Sequence, residues 1–162
     1  MHFLLAAVGS VGDVYPFFGI GHCLQQRGHR VSLIVNPFYE SKVRDLGLDF
    51  LSLGTLEQQE AMVSHPEAWH PLRGWQVWME LGGVAHMEEL YDVVQQNYVA
   101  GETAVLGSWG AIGARIAQEK LGVPMATMYL EPDRFSSDQT SGFIDRLSAI
   151  GEFRRRLGLP DQ

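Results

Sequence analysis

Short apolar runs alternate with helical patterns along the first third of the chain. Residues 3–8 are a continuous apolar run, which is typical of a strand buried on both faces, and residues 31–35 (VSLIV) predict a second strand. Between these runs, the apolar residues at 17, 18, 20 and 24 recur with the helical period. They predict a helix over residues 17–26, with Pro16 at its first position.

The same alternation continues into the middle of the chain. A helix is predicted over residues 38–46 and a strand over 49–53. Residues 58–72 are polar and contain two prolines, so we expect an irregular segment there. One long helix is predicted over residues 74–99, with a kink at Gly82–Gly83.

Strands and helices alternate again in the last part of the chain. Strands are predicted over 103–107 and 125–130, and helices over 111–121 and 141–157. This order of elements, with short connections, indicates an α/β fold built on an open, doubly wound parallel sheet.

Composition narrows the class of protein. The chain has 162 residues, of which 46% are hydrophobic, and this is enough for one domain with an ordinary core. Its net charge of -7 argues against binding to nucleic acid, because no basic surface neutralises phosphates. A single cysteine and the lack of any run of about 18 apolar residues predict a cytoplasmic protein.

Chemistry is concentrated in the turn after the first predicted strand, residues 9–16 (GSVGDVYP). Backbone N–H groups, the Ser10 hydroxyl and a helix N-terminus suit a phosphate or another anion. Asp13 would be stabilised there as a carboxylate and is a candidate proton acceptor. The alternative is that Asp13 only caps the helix. The turn lacks the spacing of a dinucleotide-binding or P-loop motif.

Two stretches resemble a known family. GSVGDVYPFFGIGHCLQQRGHRVSLIV is similar to the amino-terminal signature of GT-B glycosyltransferases that use nucleotide-sugar donors, in their bacterial and sterol-type branch. LGSWGAIGARIAQEKLGVPMATMYLEP is similar to the second half-motif of the same family, and the pair most resembles rhamnosyltransferase-like glycolipid enzymes. The resemblance covers about residues 2–53 and 103–162.

The resemblance implies two Rossmann-like domains that face a cleft, and roles for particular residues in it. Asp13 is implied to be the general base, and Ser10 and Gly12 are candidates to contact the donor phosphates. The acceptor-binding candidates are Val14, Trp78, Trp109 and Glu131. For two of them an alternative stays open: a core position for Trp78 and a solvated carboxylate for Glu131. The nucleotide-diphosphate sugar is a co-substrate, and no metal or other cofactor is expected.

Residues 1–162 contain no donor-side glycine and histidine motif of this family. We therefore expect an N-terminal acceptor-binding domain that stops before its last strands, with the C-terminal donor domain outside the chain. Such a piece should be inactive alone and prone to self-association. Two alternatives remain: a binding subunit of a split two-chain glycosyltransferase, and a non-catalytic nucleotide-binding α/β domain.

Overall fold

A computed structural model describes residues 1–71, 73–130 and 148–160. Within these ranges five parallel strands form one sheet in the order β3-β2-β1-β4-β5. The strands are β1 (His2–Ala6), β2 (Arg30–Val35), β3 (Asp49–Ser52), β4 (Thr103–Ser108) and β5 (Met125–Met128). The predicted α/β, Rossmann-like sheet is confirmed.

Helices cover both faces of the sheet. The described helices are α1 (Val11–Gln26), α2 (Glu40–Asp45), α3 (Leu56–Val63), α4 (Gly74–Val77), α5 (Met87–Asn97), α6 (Ile112–Leu121) and α7 (Ser148–Arg156). A 3-10 turn, Pro37–Tyr39, precedes α2, and a π-helical segment, Trp78–Val84, follows α4.

Neighbouring residues of β1 enter opposite cores, because successive side chains of a strand point to opposite faces. Leu5 packs with α1 and α2 in one core. Leu4 packs with the π-helical segment, α5, α6 and α7 in the other. Both residues are fully buried. The sheet is therefore doubly wound, with a core on each side.

Helix α1 begins six residues earlier than predicted, and this corrects the reading of Pro16 as its first residue. Ser10 occupies the N-cap position in an extended conformation, and Asp13 is the third residue of the helix. Serine followed by an acidic residue at that spacing is a start signal. Pro16 lies inside the helix, where its missing N–H removes one bond to the preceding turn.

The middle of the chain is also more ordered than predicted. Residues 58–72 were expected to be irregular, but α3 ends only at Val63, and Thr55 accepts a hydrogen bond from Gln58 N–H at its start. The single helix expected over 74–99 is instead α4, the π-helical segment and α5. The departure from α geometry includes Gly82–Gly83, the predicted position of a kink.

Two predictions concern the last strand and the last helix of the chain. Strand β5 ends at Met128, two residues earlier than predicted. The helix predicted over 141–157 is described only as α7. Residues 131–147, which include Glu131, lie outside the described residues.

Candidate functional site

The loops after β1 and β4 lie side by side at the centre of the sheet. β1 pairs with both β2 and β4, so the chain runs outward from β1 in one direction through β2 and β3. It then returns to β4 and continues outward to β5 on the other side. This reversal of strand order is where open α/β sheets bind their ligands.

A serine ties these two loops together. Ser108, the last residue of β4, accepts a hydrogen bond from Val8 N–H at 3.0 Å and donates to the Val8 carbonyl oxygen at 3.3 Å. Its side chain is buried, so both bonds are shielded from water. No sequence pattern signals this contact, because the two residues are 100 positions apart.

Asp13 packs against the turn that carries it. Its Oδ2 atom accepts hydrogen bonds from Ser10 N–H at 2.8 Å and from Ser10 Oγ at 2.9 Å. Gly9 has a φ of 138°, and a Cβ atom there would lie 2.5 Å from Asp13 Oδ2. Only glycine fits this backbone and this close approach. The carboxylate is therefore held in place by Ser10 on one side and the Gly9 backbone on the other.

The predicted phosphate contacts also lie on this turn. Ser10 is half-buried at the N-cap of α1, and Gly12 is exposed in the first helical turn. Helix geometry leaves the first N–H groups of α1 without an acceptor inside the helix, and the helix dipole favours an anion there. One helix end thus carries Ser10, Gly12 and Asp13. Its N–H groups suit a phosphate, and the Asp13 carboxylate could accept a hydrogen bond from a hydroxyl group.

Two of the predicted acceptor contacts differ sharply in exposure. Val14 is only 1% exposed and belongs to the core shared with α1 and α2, so its side chain fills the protein interior. Trp109 follows β4, is half-buried and packs against the opposite core. Acceptor binding by both residues stays a prediction, as does that by Glu131, which lies outside the described residues.

Trp78 begins the π-helical segment and is half-buried. Its Nε1–H donates to the Ala68 carbonyl oxygen at 2.9 Å, and its ring lies 5.4 Å from that of Trp69. Trp69 is 66% exposed, so the indole pair presents apolar surface to solvent. Acceptor binding by Trp78 stays a prediction.

The π-helical segment presses on both loops of the site. A Cβ atom at Gly82 would lie 3.2 Å from Val8 Cγ1, and one at Gly83 would lie 3.0 Å from the Gly110 carbonyl oxygen. Two successive glycines thus let this segment pack closely behind the loops after β1 and β4. Segments of π-helix occur frequently at functional sites. The glycine pair in the sequence indicates where the helix departs from regular geometry, but it does not indicate that this segment contacts the two loops.

A small cavity of about 10 Å³ lies behind the Gly9 turn. Its polar lining comes from Gly9, Asn36, Tyr39, Gln59 and His86. Burial, followed by the Asp13 and Tyr15 charges, raises the pKa of Tyr39 to about 12. Burial lowers the pKa of His86, and the Glu89 carboxylate opposes that shift. At neutral pH the phenol is therefore protonated and the imidazole is neutral.

Neither a metal site nor a membrane-spanning helix is found in the part of the chain that the structure covers. No three His, Cys, Asp or Glu side chains among residues 1–71, 73–130 and 148–160 are grouped so that they could hold a metal ion. Over the same ranges, every helix is too short or too polar to cross a bilayer.

Known proteins resemble this chain in sequence and in fold. The sterol 3-beta-glucosyltransferase of Debaryomyces hansenii is 26% identical over 141 residues, which cover 81% of this chain and 8% of that protein. The glycosyltransferase SnogD from Streptomyces nogalater shares the fold with a TM-score of 0.71 at 15% identity, over 100% of this chain and 42% of that one.

A second solved structure gives the same fold. The glycosyltransferase SsfS6 of Streptomyces sp. SF2575, complexed with thymidine diphosphate, matches with a TM-score of 0.64 at 20% identity, over 99% of this chain and 46% of that chain. This chain therefore spans less than half the length of each of these three proteins. The glycosyltransferase family 28 N-terminal domain matches residues 3–136, the greater part of the chain. The chain belongs to glycosyltransferase family 28.

Proposed function

We propose that this chain is the acceptor-binding half of an inverting glycosyltransferase. It would move a hexose from a nucleotide-diphosphate sugar to a hydroxyl group of a lipid-like or other apolar acceptor. The observation that carries this proposal is the position of Asp13, a carboxylate fixed by Ser10 at the strand-order reversal of the sheet. Membership of the family and the sterol glucosyltransferase relative support it.

Asp13 would act as the general base. The acceptor oxygen attacks the anomeric carbon of the sugar and forms the new C–O bond, while the bond to the nucleotide diphosphate breaks. Asp13 takes the acceptor proton, and the electron pair of the broken bond leaves with the diphosphate. Attack on the face opposite the leaving group inverts the anomeric configuration. The hydrogen bonds from Ser10 keep the carboxylate oriented for this step.

The start of α1 would assist the departing diphosphate. The Ser10 hydroxyl donates its one proton to Asp13, so the diphosphate would be met at Gly12, which allows a close approach to the exposed N–H groups of the first turn. The thymidine diphosphate bound by SsfS6 supports a nucleotide-linked donor. Charge developing on the leaving oxygens would be stabilised by these N–H groups and the helix dipole, with no metal ion required.

An apolar acceptor is supported by the surface around Asp13. Val11, Tyr15 and Phe38 are 46%, 52% and 61% exposed, although each is a large hydrophobic residue. Val11 and Tyr15 lie on the first turns of α1, and the Phe38 ring lies 5.0 Å from that of Tyr39. Exposed apolar groups near a polar centre are characteristic of ligand-binding sites.

The test is the stereochemistry and acceptor range of sugar transfer. The chain, assembled with its donor-binding half, is supplied with an α-linked nucleotide-diphosphate hexose and either a sterol or a hydrophilic sugar. Proton NMR of the product should show a β-glycoside on the sterol and much slower transfer to the hydrophilic sugar. An α-glycoside would exclude inversion, and preference for the hydrophilic sugar would exclude an apolar acceptor.

A further inference from the structure

The cavity behind the Gly9 turn has a size that suits one small oxygen. Its volume of about 10 Å³ is close to the smallest space that holds a single water molecule. Gly9, Asn36, Tyr39, Gln59 and His86 contribute the polar part of its wall. An empty cavity would normally be apolar, so this lining points to an occupant that forms hydrogen bonds.

One buried side chain of this wall lacks a hydrogen bond that it is able to make, and a second makes only a long contact with a carboxylate. Tyr39 is 3% exposed, and its hydroxyl has no hydrogen-bond partner among the described residues. His86 is 7% exposed, and its Nδ1 lies 3.8 Å from Glu89 Oε2, beyond hydrogen-bond range. Buried polar groups are nearly always paired, and an unpaired one needs a specific reason.

Asn36 shows the contrast within the same wall. Its Nδ2 donates to the Thr55 carbonyl oxygen at 2.7 Å, and its Oδ1 accepts from Phe38 N–H at 3.0 Å. These bonds hold the turn after β2 and make Asn36 a structural part of the cavity. Tyr39 is therefore the side chain of the wall with a buried polar atom that has no partner among the described residues, and His86 lies on the same wall.

We propose that this cavity binds one hydroxyl oxygen, and that Tyr39 and His86 hold it. A hydroxyl group both donates and accepts, which matches a protonated phenol as donor and a neutral imidazole as either partner. The oxygen belongs to a resident water molecule or to a hydroxyl of the acceptor, and the second source rests on the proposed function. In that case Tyr39 is a positioning residue that holds the acceptor beside Asp13.

The electrostatic interaction between Tyr39 and Asp13 relates the cavity to the proposed base. The Asp13 charge contributes to the raised pKa of Tyr39, after burial, so the two groups interact electrostatically. Gly9 lines the cavity, and a Cβ atom on Gly9 would lie 2.5 Å from Asp13 Oδ2. An oxygen held in this cavity therefore lies next to the turn that carries the proposed base.

The experiment compares Tyr39→Phe with a matched control. Binding of cholesterol, and of the cholesterol analogue that lacks the hydroxyl, is followed by quenching of tryptophan fluorescence in the 162-residue chain. Melting temperatures are measured without ligand. The control is Tyr91→Phe, since Tyr91 is equally buried but lies in the opposite core and accepts a hydrogen bond from Gln95. We expect Tyr39→Phe to weaken cholesterol binding about tenfold and leave binding of the analogue unchanged.

Each outcome decides between the sources. A loss restricted to cholesterol assigns the oxygen to the acceptor. An equal loss for both ligands, with a lower melting temperature for Tyr39→Phe, assigns it to a resident water. If Tyr39→Phe changes neither binding nor melting, the inference is overturned while the proposed function stands. If the wild-type chain binds neither ligand, the sterol arm of the proposed function fails, and the melting comparison alone decides whether a water is held.

Discussion

At the scale of single residues, Asp13 has a structural task at the start of α1 and a proposed task in catalysis, and the two are compatible. Its carboxylate accepts two hydrogen bonds from Ser10 and so orders the start of α1. The same bonds fix it at the reversal of strand order, where a bound hydroxyl would meet it. Gly9 is part of this arrangement, because a side chain there would displace the carboxylate. The structural role and the proposed catalytic role of Asp13 therefore need separate tests.

Asp13→Asn separates the two tasks. Asparagine keeps the size of aspartate, and its amide oxygen can still accept the hydrogen bonds from Ser10, so the melting temperature should stay near that of wild type. It is a poor proton acceptor, so turnover of the assembled enzyme should fall about 10²- to 10⁴-fold. Asp45→Asn, at an exposed position at the end of α2, is the matched control and should keep wild-type turnover. Retention of more than about a tenth of wild-type turnover by Asp13→Asn would make Asp13 a cap only.

His86 should make stability depend on pH. Burial lowers its pKa below the ordinary value of 6.5 in the folded state, so the unfolded state binds more protons between these two values. The stabilisation is fully present above pH 6.5 and is lost as the pH falls toward the folded pKa. Urea unfolding from about pH 7.5 to about pH 5.5 should show this loss.

His86→Gln should reduce the pH slope, and part of the slope should remain. His2 also has a lowered pKa, owing first to burial and then to the Arg30 charge, and it contributes in the same direction. An unchanged slope in His86→Gln would show that the imidazole is accessible to water in the folded protein.

At the scale of elements, contacts near in sequence were predictable and distant ones were not. The strands were found because continuous apolar runs report burial on both faces. The start of α1 was misplaced because Pro16 was given more weight than the signal from Ser10 and Asp13. Asp13 and Ser10 are predicted as site residues from one short turn, and that assignment stays a prediction. Ser108 was missed as a tie to Val8, because only the paired sheet brings them together.

Gly113 tests the packing of α5 on α6. A Cβ atom there would overlap the Met87 carbonyl oxygen and approach Tyr91 N within 2.8 Å, and backbone atoms yield little. Gly113→Ala should therefore lower the free energy of unfolding by about 1–3 kcal/mol in urea titrations. Gly19→Ala is the control, since Gly19 is exposed on α1 with nothing within 4 Å of a Cβ atom. Gly19→Ala should raise the free energy of unfolding by about 0.5–1 kcal/mol. An unchanged free energy of unfolding in Gly113→Ala would mean that α5 and α6 move apart freely.

At the scale of the whole molecule, we propose that the reaction is divided between two halves. This chain has a carboxylate, a helix N-terminus and exposed apolar side chains at one edge of its sheet. It spans 8% of the sterol glucosyltransferase and 42% of SnogD, and we propose that the donor is bound mainly outside it. The proposed division assigns acceptor recognition to the surface around Asp13 and most donor recognition to the other half.

The most direct measurement is a pair of calorimetric titrations of the 162-residue chain, one with a nucleotide-diphosphate hexose and one with a solubilised sterol. The account predicts sterol binding with a Kd of about 1–100 μM and nucleotide-sugar binding no tighter than about 1 mM. The helix N-terminus of α1 alone offers too few contacts for stronger binding of the donor. Micromolar binding of the nucleotide sugar together with undetectable binding of the sterol would contradict the claim that this chain is the acceptor-binding half.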